Sequence, residues 1–139
     1  MSEAVMKFGL DTALKDFCQS VGQSGALQLT YQSYDVNEAS IPPIKAAAVY
    51  RIVQELVNNV IRHAQATRAL VQLIREGDTL SITVEDSGKG FDKDILANSD
   101  GMGFLNLQNR VAYLNGKMDI QTSPGNGTTV NIEITNVLS

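Results

Sequence analysis

Apolar and polar residues alternate along this chain with two different periods, which divide it into eight predicted elements. A period near 3.6 residues predicts a helix, and a period of two predicts a strand. Helical spacing covers residues 8–21, 44–65 and 104–116. Strand-like alternation covers residues 26–34, 69–76, 79–86, 117–123 and 128–135.

Glycine and proline residues separate these segments at positions where turns and helix ends need them. Pro42 and Pro43 precede the second helical segment, where proline is favoured. The dipeptide Gly77-Asp78 is the strongest hairpin signal in the chain, and Gly116 predicts the end of the third helix. The order of elements predicts an α+β fold: a two-layer sandwich with a mixed sheet of about five strands and three helices on one face.

Length and composition indicate one globular domain. The 139 residues suffice for one core and are few for two, so residues 1–139 are expected to form a single domain. A net charge of −4 without a basic cluster argues against nucleic-acid binding. No segment has the ~20 apolar residues of a membrane span, and the first residues lack a signal-peptide pattern, so a cytoplasmic location is expected. The single cysteine, Cys18, excludes an internal disulfide framework.

The second predicted helix carries a polar stripe beside its apolar face. At about 100° per residue, Glu55, Asn58, Asn59 and Arg62 fall together, with His63 at the edge of the stripe. Asparagine is a poor helix former, so two in succession cost stability unless they serve a function. Glutamate and asparagine four residues apart present neighbouring oxygen atoms, the hard ligands that Mg²⁺ prefers. A simple solvated face remains the alternative for this stripe taken alone.

Two glycine-rich segments flank a long predicted loop. Asp86 ends a strand and is followed by Gly88 and Gly90, which places a carboxylate beside a backbone that a flat ligand can approach closely. Gly101 and Gly103 directly precede a helix, whose N–H groups and dipole favour phosphate. The predicted loop between Gly90 and Gly103 has about a dozen residues, and loops of this length inside compact domains tend to be functional lids. The chain has neither GxxxxGK[ST] nor GxGxxG after a strand, which excludes P-loop and Rossmann-like nucleotide sites.

Four segments, taken together and in order, resemble the motifs of one superfamily: ELVNNVIRHAQA, DSGKGFD, GMGFLNLQNRV and GNGTTV. They are similar to the N box, the two glycine boxes and the terminal strand motif of the GHKL ATP-binding fold. Sensor histidine kinases, type II topoisomerases, mismatch-repair ATPases and the heat-shock chaperone family share this fold. The resemblance extends over nearly the whole chain. It is strongest to the catalytic domain of two-component sensor histidine kinases, in the subfamily of the nitrate/nitrite sensors and the lipid-fluidity thermosensor.

The resemblance implies ATP and Mg²⁺ as ligands and a role for each residue near the phosphates. Asn59 would hold Mg²⁺ against the triphosphate, and Glu55 would orient the attacking group. Arg62 and His63 would lie near the phosphates as a basic pair. The lid would hinge at two glycines, Gly101 and Gly103.

The residues implied at the adenine end of the site lie in the first glycine box and the last strand. Asp86 would accept the proton of the adenine amino group, which selects the base. Gly88 and Gly90 would allow the adenine pocket to form. The hydroxyl of Thr128 or Thr129 would support Asp86.

The resemblance also implies partners. Members of the family transfer the γ-phosphoryl group of ATP to a histidine on a separate helical dimerisation domain, and a response regulator acts downstream. The only histidine of this chain, His63, lies inside the N box, so it is not that acceptor. We therefore expect a catalytic domain without its dimerisation and phosphoacceptor domain, monomeric when isolated. The kinase containing it is compatible with an anchor in the inner membrane.

Other functions remain open at this point. A stand-alone GHKL anti-sigma-factor serine kinase has a similar size, although the sensor-kinase-like helical segments argue against it. A topoisomerase-type or mismatch-repair-type ATPase carries a transducer domain that this chain lacks. A degenerate docking module that binds nucleotide without catalysis is a third alternative, against which the intact motifs argue. One departure from the family is Phe104, where leucine is more usual.

Overall fold

A computed structural model describes residues 3–37, 40–92 and 103–139. Within these residues the chain forms three α-helices and five strands, in the order that the hydrophobic pattern predicts. Their bounds are α1 Glu3–Gln23, β1 Gln28–Tyr34, α2 Pro43–Asn59, β2 Arg68–Glu76, β3 Thr79–Asp86, α3 Phe104–Tyr113, β4 Gly116–Thr122 and β5 Thr128–Ile134. None of the described helices is both long and apolar enough to cross a membrane.

The sheet is mixed and has the strand order β1-β2-β3-β5-β4 among the described residues. β1 is parallel to β2, and the remaining pairs are antiparallel. β2 and β3 form the predicted hairpin, in which Gly77 has a φ of 61°. β3 lies between β2 and β5, and its pairing with β5 places Asp86 opposite Thr128. Two residues distant in the chain are therefore brought together at one end of the sheet.

The helices form the second layer of the sandwich. Alternate residues of β3 and β5 are buried, whereas those between them are partly or fully exposed, as expected for a sheet covered on one face. α1 contacts β1, α2 contacts β3 and α3 contacts β4, so the helices cover that face from one edge to the other. The predicted α+β class, with three helices on one face of a five-stranded mixed sheet, is confirmed for the described part of the chain.

Two helix boundaries differ from the prediction because of local backbone geometry. α1 begins at Glu3 rather than at residue 8, and it passes through a break at Gly9, with a φ of 84°. α3 ends where Asn115, not Gly116, takes the left-handed conformation, with a φ of 61°. Asparagine is the commonest substitute for glycine there. Gly116 instead begins β4, where a Cβ atom would lie 2.7 Å from the Val111 side chain.

The second helix ends in an unusual way. The periodicity predicts a helix through residue 65, but α2 is regular only to Asn59 and continues as a π-helical turn, Val60–Ala64. Gln65 then reverses the chain with a φ of 51°. Single π-helical turns occur frequently at functional sites, and this one lies inside the segment that resembles the N box.

Candidate functional site

A cleft lies between α2 with its π-helical turn and the ends of β3 and β5. Its empty space, counted together with the space that is open to solvent, is about 410 Å³. Its walls are largely apolar: Leu56, Val60, Val84, Phe91, Phe104 and Val130. The structure also brings five of the predicted site residues to this cleft: Asn59, His63, Asp86, Gly90 and Thr128. A concave apolar surface with a few converging polar groups is the usual form of a small-molecule site.

Asp86 is the buried polar centre of the cleft. It is the last residue of β3 and is only 8% exposed. Its Oδ1 accepts a hydrogen bond of 2.8 Å from the backbone N–H of Gly88. Burial raises the pKa of Asp86, and hydrogen bonds from the backbone of Gly88 and Thr128 offset part of the increase. A carboxylate held in apolar surroundings favours a ligand that supplies a hydrogen-bond donor.

The loop that follows β3 is fixed against the end of the π-helical turn. A Cβ atom on Gly88 would overlap the carbonyl oxygen of Ala64, so only glycine fits at this position. The next residue, Lys89, donates its backbone N–H to the same carbonyl oxygen at 2.7 Å. Gly90 has a φ of 63° and lies against the Ser123 carbonyl. The sequence analysis predicted that a flat ligand could approach the backbone at these glycines. In the structure, the close neighbours of Gly88 and Gly90 are other segments of the protein.

The support of Asp86 by the hydroxyl of Thr128 or Thr129, directly or through a water molecule, stays a prediction. Among the described residues, the hydroxyl of Thr128 lies 2.9 Å from the hydroxyl of Thr122, and Thr128 reaches Asp86 through its backbone. Thr129 is the next residue of β5, where side chains alternate, and it does not line the cleft. The contact that the structure shows between Thr128 and Asp86 is made by the backbone of Thr128.

Thr122 is a site residue that the sequence analysis missed. Its Oγ1 accepts a hydrogen bond from the backbone N–H of Phe91 at 3.1 Å and donates one to the carbonyl of Gly127 at 3.1 Å. Together with its contact to Thr128, it joins the first glycine box to the β4–β5 turn. The one available signal was its position opposite Thr128 in the predicted hairpin, which pairs these residues.

The predicted polar stripe of α2 is divided by the structure. Asn59 and His63 line the cleft, four residues apart. Arg62 is exposed and is not among the lining residues. Glu55 lies outside the cleft lining, where its carboxylate forms an ion pair with Arg110 of α3. Sequence reasoning missed Arg110, because nothing local in the chain indicates a partner 55 residues away.

The segment before α3 is partly within the described structure. Gly103 is the N-cap residue of α3 and has a φ of 73°, a conformation that favours glycine. Gly101, the other predicted hinge, lies outside the described residues. Phe104 follows Gly103, is 5% exposed and stacks on Phe91, with ring centroids 5.6 Å apart. The residue that departs from the usual leucine therefore forms an aromatic wall of the cleft.

Comparison with known proteins identifies the class to which this fold and cleft belong. Residues 44–137 match the family described as histidine kinase-, DNA gyrase B- and HSP90-like ATPase. This match includes α2, the cleft and the last strand, and it covers more than half of the chain. The chain belongs to this family of ATP-binding domains.

Within that class, its curated relatives include sensor histidine kinases. The chain is 39% identical over 87 residues to the sensor histidine kinase ComP of Bacillus subtilis and 32% identical over 124 residues to the sensor histidine kinase MctS of Rhizobium johnstonii. These alignments cover 62% and 88% of this chain but only 11% and 26% of the relatives. The chain thus spans a small part of the length of the proteins it resembles.

Solved structures give the same result for the fold. The chain is 27% identical to the blue-light activated histidine kinase of Erythrobacter litoralis EL346, with a TM-score of 0.73 over 92% of this chain and 42% of that chain. The catalytic domain of the histidine kinase ThkA is 12% identical, with a TM-score of 0.68 over 91% of this chain and 90% of that one. The second similarity bears on the fold alone. The predicted resemblance to the ATP-binding domain of sensor histidine kinases is confirmed.

Proposed function

We propose that this chain is the catalytic domain of a sensor histidine kinase, and that it transfers the γ-phosphoryl group of ATP to a histidine of a separate dimerisation domain. The observation that carries this proposal is the buried carboxylate of Asp86 in an apolar cleft, with Asn59 and His63 on the opposite helix. The similarity to sensor histidine kinases supports the same function. We further propose that residues 1–139 are one catalytic domain, with the phosphoacceptor supplied by another.

The part of the cleft around Asp86 suits the adenine base. Asp86 offers a carboxylate oxygen to the exocyclic amino group, and the backbone of Gly88 and Thr128 holds that carboxylate in place. Val84 and Val130 provide apolar surface for the faces of the base. Because a buried acceptor left without a donor is costly, this arrangement favours a base that carries an amino group over one that carries a carbonyl.

The α2 side of the cleft suits the phosphates and Mg²⁺. The described residues contain no cluster of three His, Cys, Asp or Glu side chains that could hold a metal by themselves. Mg²⁺ commonly takes one or two protein oxygen atoms and completes its shell with substrate phosphates and water, so the amide oxygen of Asn59 fits as a single protein ligand. When bound, Mg²⁺ would neutralise phosphate charge. Arg62 and His63 lie in the π-helical turn that follows Asn59, and they add positive or hydrogen-bonding groups beside the proposed phosphate site.

Phosphoryl transfer requires positioning and charge stabilisation from a protein more than covalent chemistry. The cleft fixes the nucleotide through its base, and Asn59 fixes its phosphate end. The acceptor imidazole arrives from outside, and Glu55 at the cleft rim orients it or accepts its proton. The hinge role that the resemblance implies for Gly101 and Gly103 belongs to the same proposal. A response regulator and a location in the cytoplasm, where ATP is available, belong to the same proposal.

Calorimetric titration with a non-hydrolysable ATP analogue, with and without Mg²⁺, tests the binding half of this proposal. We expect binding that Mg²⁺ strengthens and that Asp86→Asn weakens. Adding the dimerisation domain and ATP then tests the transfer, whose expected product is an acid-labile phosphohistidine on that domain. Phosphoserine on a partner protein would contradict the proposal and favour the anti-sigma-factor type of kinase. Absence of nucleotide binding would contradict both.

A further inference from the structure

Arg110 connects the third helix to the polar stripe of the second. Its Nη1 donates a hydrogen bond to Oε1 of Glu55, which makes an ion pair between α3 and α2. The two side chains are 47% and 36% exposed. Ion pairs at such exposed positions contribute little to stability, because solvent screens them and ordering two long side chains costs entropy. Stability alone therefore does not account for this pair.

The position of Glu55 gives the ion pair a functional meaning. Glu55 lies one helical turn before Asn59, so the two side chains project from the same side of α2. Asn59 lines the cleft, whereas Glu55 is not among its lining residues. A glutamate at a helix surface has several accessible rotamers. The planar guanidinium of Arg110 restricts the Glu55 carboxylate to rotamers that keep the ion pair.

Arg110 is itself held in place by the core. Its neighbours in α3, Leu107 and Val111, are each only 1% exposed, so the backbone of this turn is fixed. At the other end of the same helix, Phe104 forms a wall of the cleft. A rigid helix thus joins the nucleotide site to the group that orients Glu55.

We propose that Arg110 is a positioning residue, which holds the carboxylate of Glu55 at the cleft rim in the orientation that meets the incoming acceptor imidazole. This inference rests on the function proposed above. Arg110 lies outside the cleft lining, so it acts through Glu55 and takes no proton or phosphoryl group itself. Misplacing a reacting group by about 1 Å commonly costs on the order of 100-fold in rate, so loss of this ion pair is expected to affect the transfer step.

The test compares kinetics of transfer from ATP to the dimerisation domain for wild type, Arg110→Met, Arg110→Lys, Glu55→Gln and the double variant Glu55→Gln/Arg110→Met. Arg110→Met keeps the apolar stem and is expected to lower kcat at least tenfold while leaving KM for ATP unchanged. Arg110→Lys, which keeps the charge without the planar fork, is expected to restore part of the rate. In the Glu55→Gln background, Arg110→Met is expected to cause no further decrease in kcat. Gln108→Ala is the matched control, since Gln108 is exposed on the same helix.

Three results would overturn the proposal. A wild-type kcat in Arg110→Met would show that the ion pair does not position Glu55. A raised KM for ATP with unchanged kcat would assign Arg110 to nucleotide binding instead. An equal loss of kcat on Arg110→Met in the wild-type and Glu55→Gln backgrounds would show that Arg110 acts independently of Glu55. Melting temperatures identify any unfolded variant, and failure of the proposed function is recognised separately, because wild type would then bind nucleotide without forming phosphohistidine.

Discussion

The backbone N–H of Gly88 donates a 2.8 Å hydrogen bond to Oδ1 of Asp86, and the same glycine lies in contact with the carbonyl of Ala64. One small residue thus holds the buried carboxylate and also leaves room for the loop after β3 to approach the end of the π-helical turn, where Lys89 donates its backbone N–H to Ala64. The polar centre of the cleft is therefore preorganised by backbone groups, which have little freedom to move.

Replacing this carboxylate tests its proposed role in recognising the base. Asp86→Asn keeps an oxygen that can accept from Gly88 but removes the charge and introduces an amino group that faces the adenine amino group. Hydrogen bonds to charged groups are worth about 1.5–3 kcal/mol, so affinity for an ATP analogue is expected to fall roughly 10-fold to 150-fold. Calorimetric titration measures this loss. Wild-type affinity in the variant would remove Asp86 from base recognition.

The raised pKa of Asp86 predicts a specific dependence of stability on pH. Burial raises this pKa above the ordinary value of 3.8, so the folded state keeps the proton in a pH window that begins near this value and extends upward. Within that window the folded state binds more protons than the unfolded state. The free energy of unfolding is therefore expected to fall as pH rises through this window.

Because other carboxylates titrate in the same range, the measurement is a difference between wild type and Asp86→Asn. Urea unfolding of both proteins from about pH 4 to about pH 7 gives the two curves. Wild type should lose stability relative to the variant as pH rises. Parallel curves would show that burial of Asp86 does not shift its titration.

Gly88 and Gly22 form a matched pair for testing the contact with Ala64. A Cβ atom at position 88 would overlap the Ala64 carbonyl, whereas position 22 in α1 has open space. Gly88→Ala is expected to lower the free energy of unfolding by about 1–3 kcal/mol, as overpacking does. Gly22→Ala is expected to raise it by about 0.5–1 kcal/mol through helix propensity. Urea denaturation measures the free energy of unfolding of both variants. An equal change in the two would mean that the loop after β3 relaxes freely around the added Cβ atom.

The periodicity of the sequence was sufficient for the fold class but not for its details. Alternation of period two predicts β3 and β5 because each has one buried and one exposed face. The pairing of β3 with β5, across an intervening helix and strand, depends on tertiary contacts that no local pattern contains. The π-helical turn after Asn59 is likewise invisible to periodicity, because it changes the backbone without changing the apolar stripe.

The residues of the candidate site that the sequence predicted are those whose type is unusual at their position in the chain. Asn59 and His63 are polar residues beside an apolar helix face, Asp86 ends a strand before two glycines, and the cleft brings the three together. Arg110 and Thr122 were missed, since arginine on an exposed helix and threonine in a strand are ordinary residues until their partners are known. Such pairings arise from the packing of separate elements, which the sequence of either element alone does not specify.

Asn59 and its neighbour Asn58 give a direct test of the proposed Mg²⁺ ligand. Asn59 lines the cleft, whereas Asn58 is exposed and lies outside the lining. Either change to alanine raises helix propensity by the same amount, up to about 0.7 kcal/mol. Asn59→Ala is expected to abolish phosphotransfer and to remove the strengthening of ATP-analogue binding by Mg²⁺, while Asn58→Ala retains both. Titrations with and without Mg²⁺, followed by transfer assays, measure these effects. Transfer by Asn59→Ala at ordinary Mg²⁺ concentration would contradict the metal assignment, because a lost ligand should weaken the neutralisation of phosphate charge.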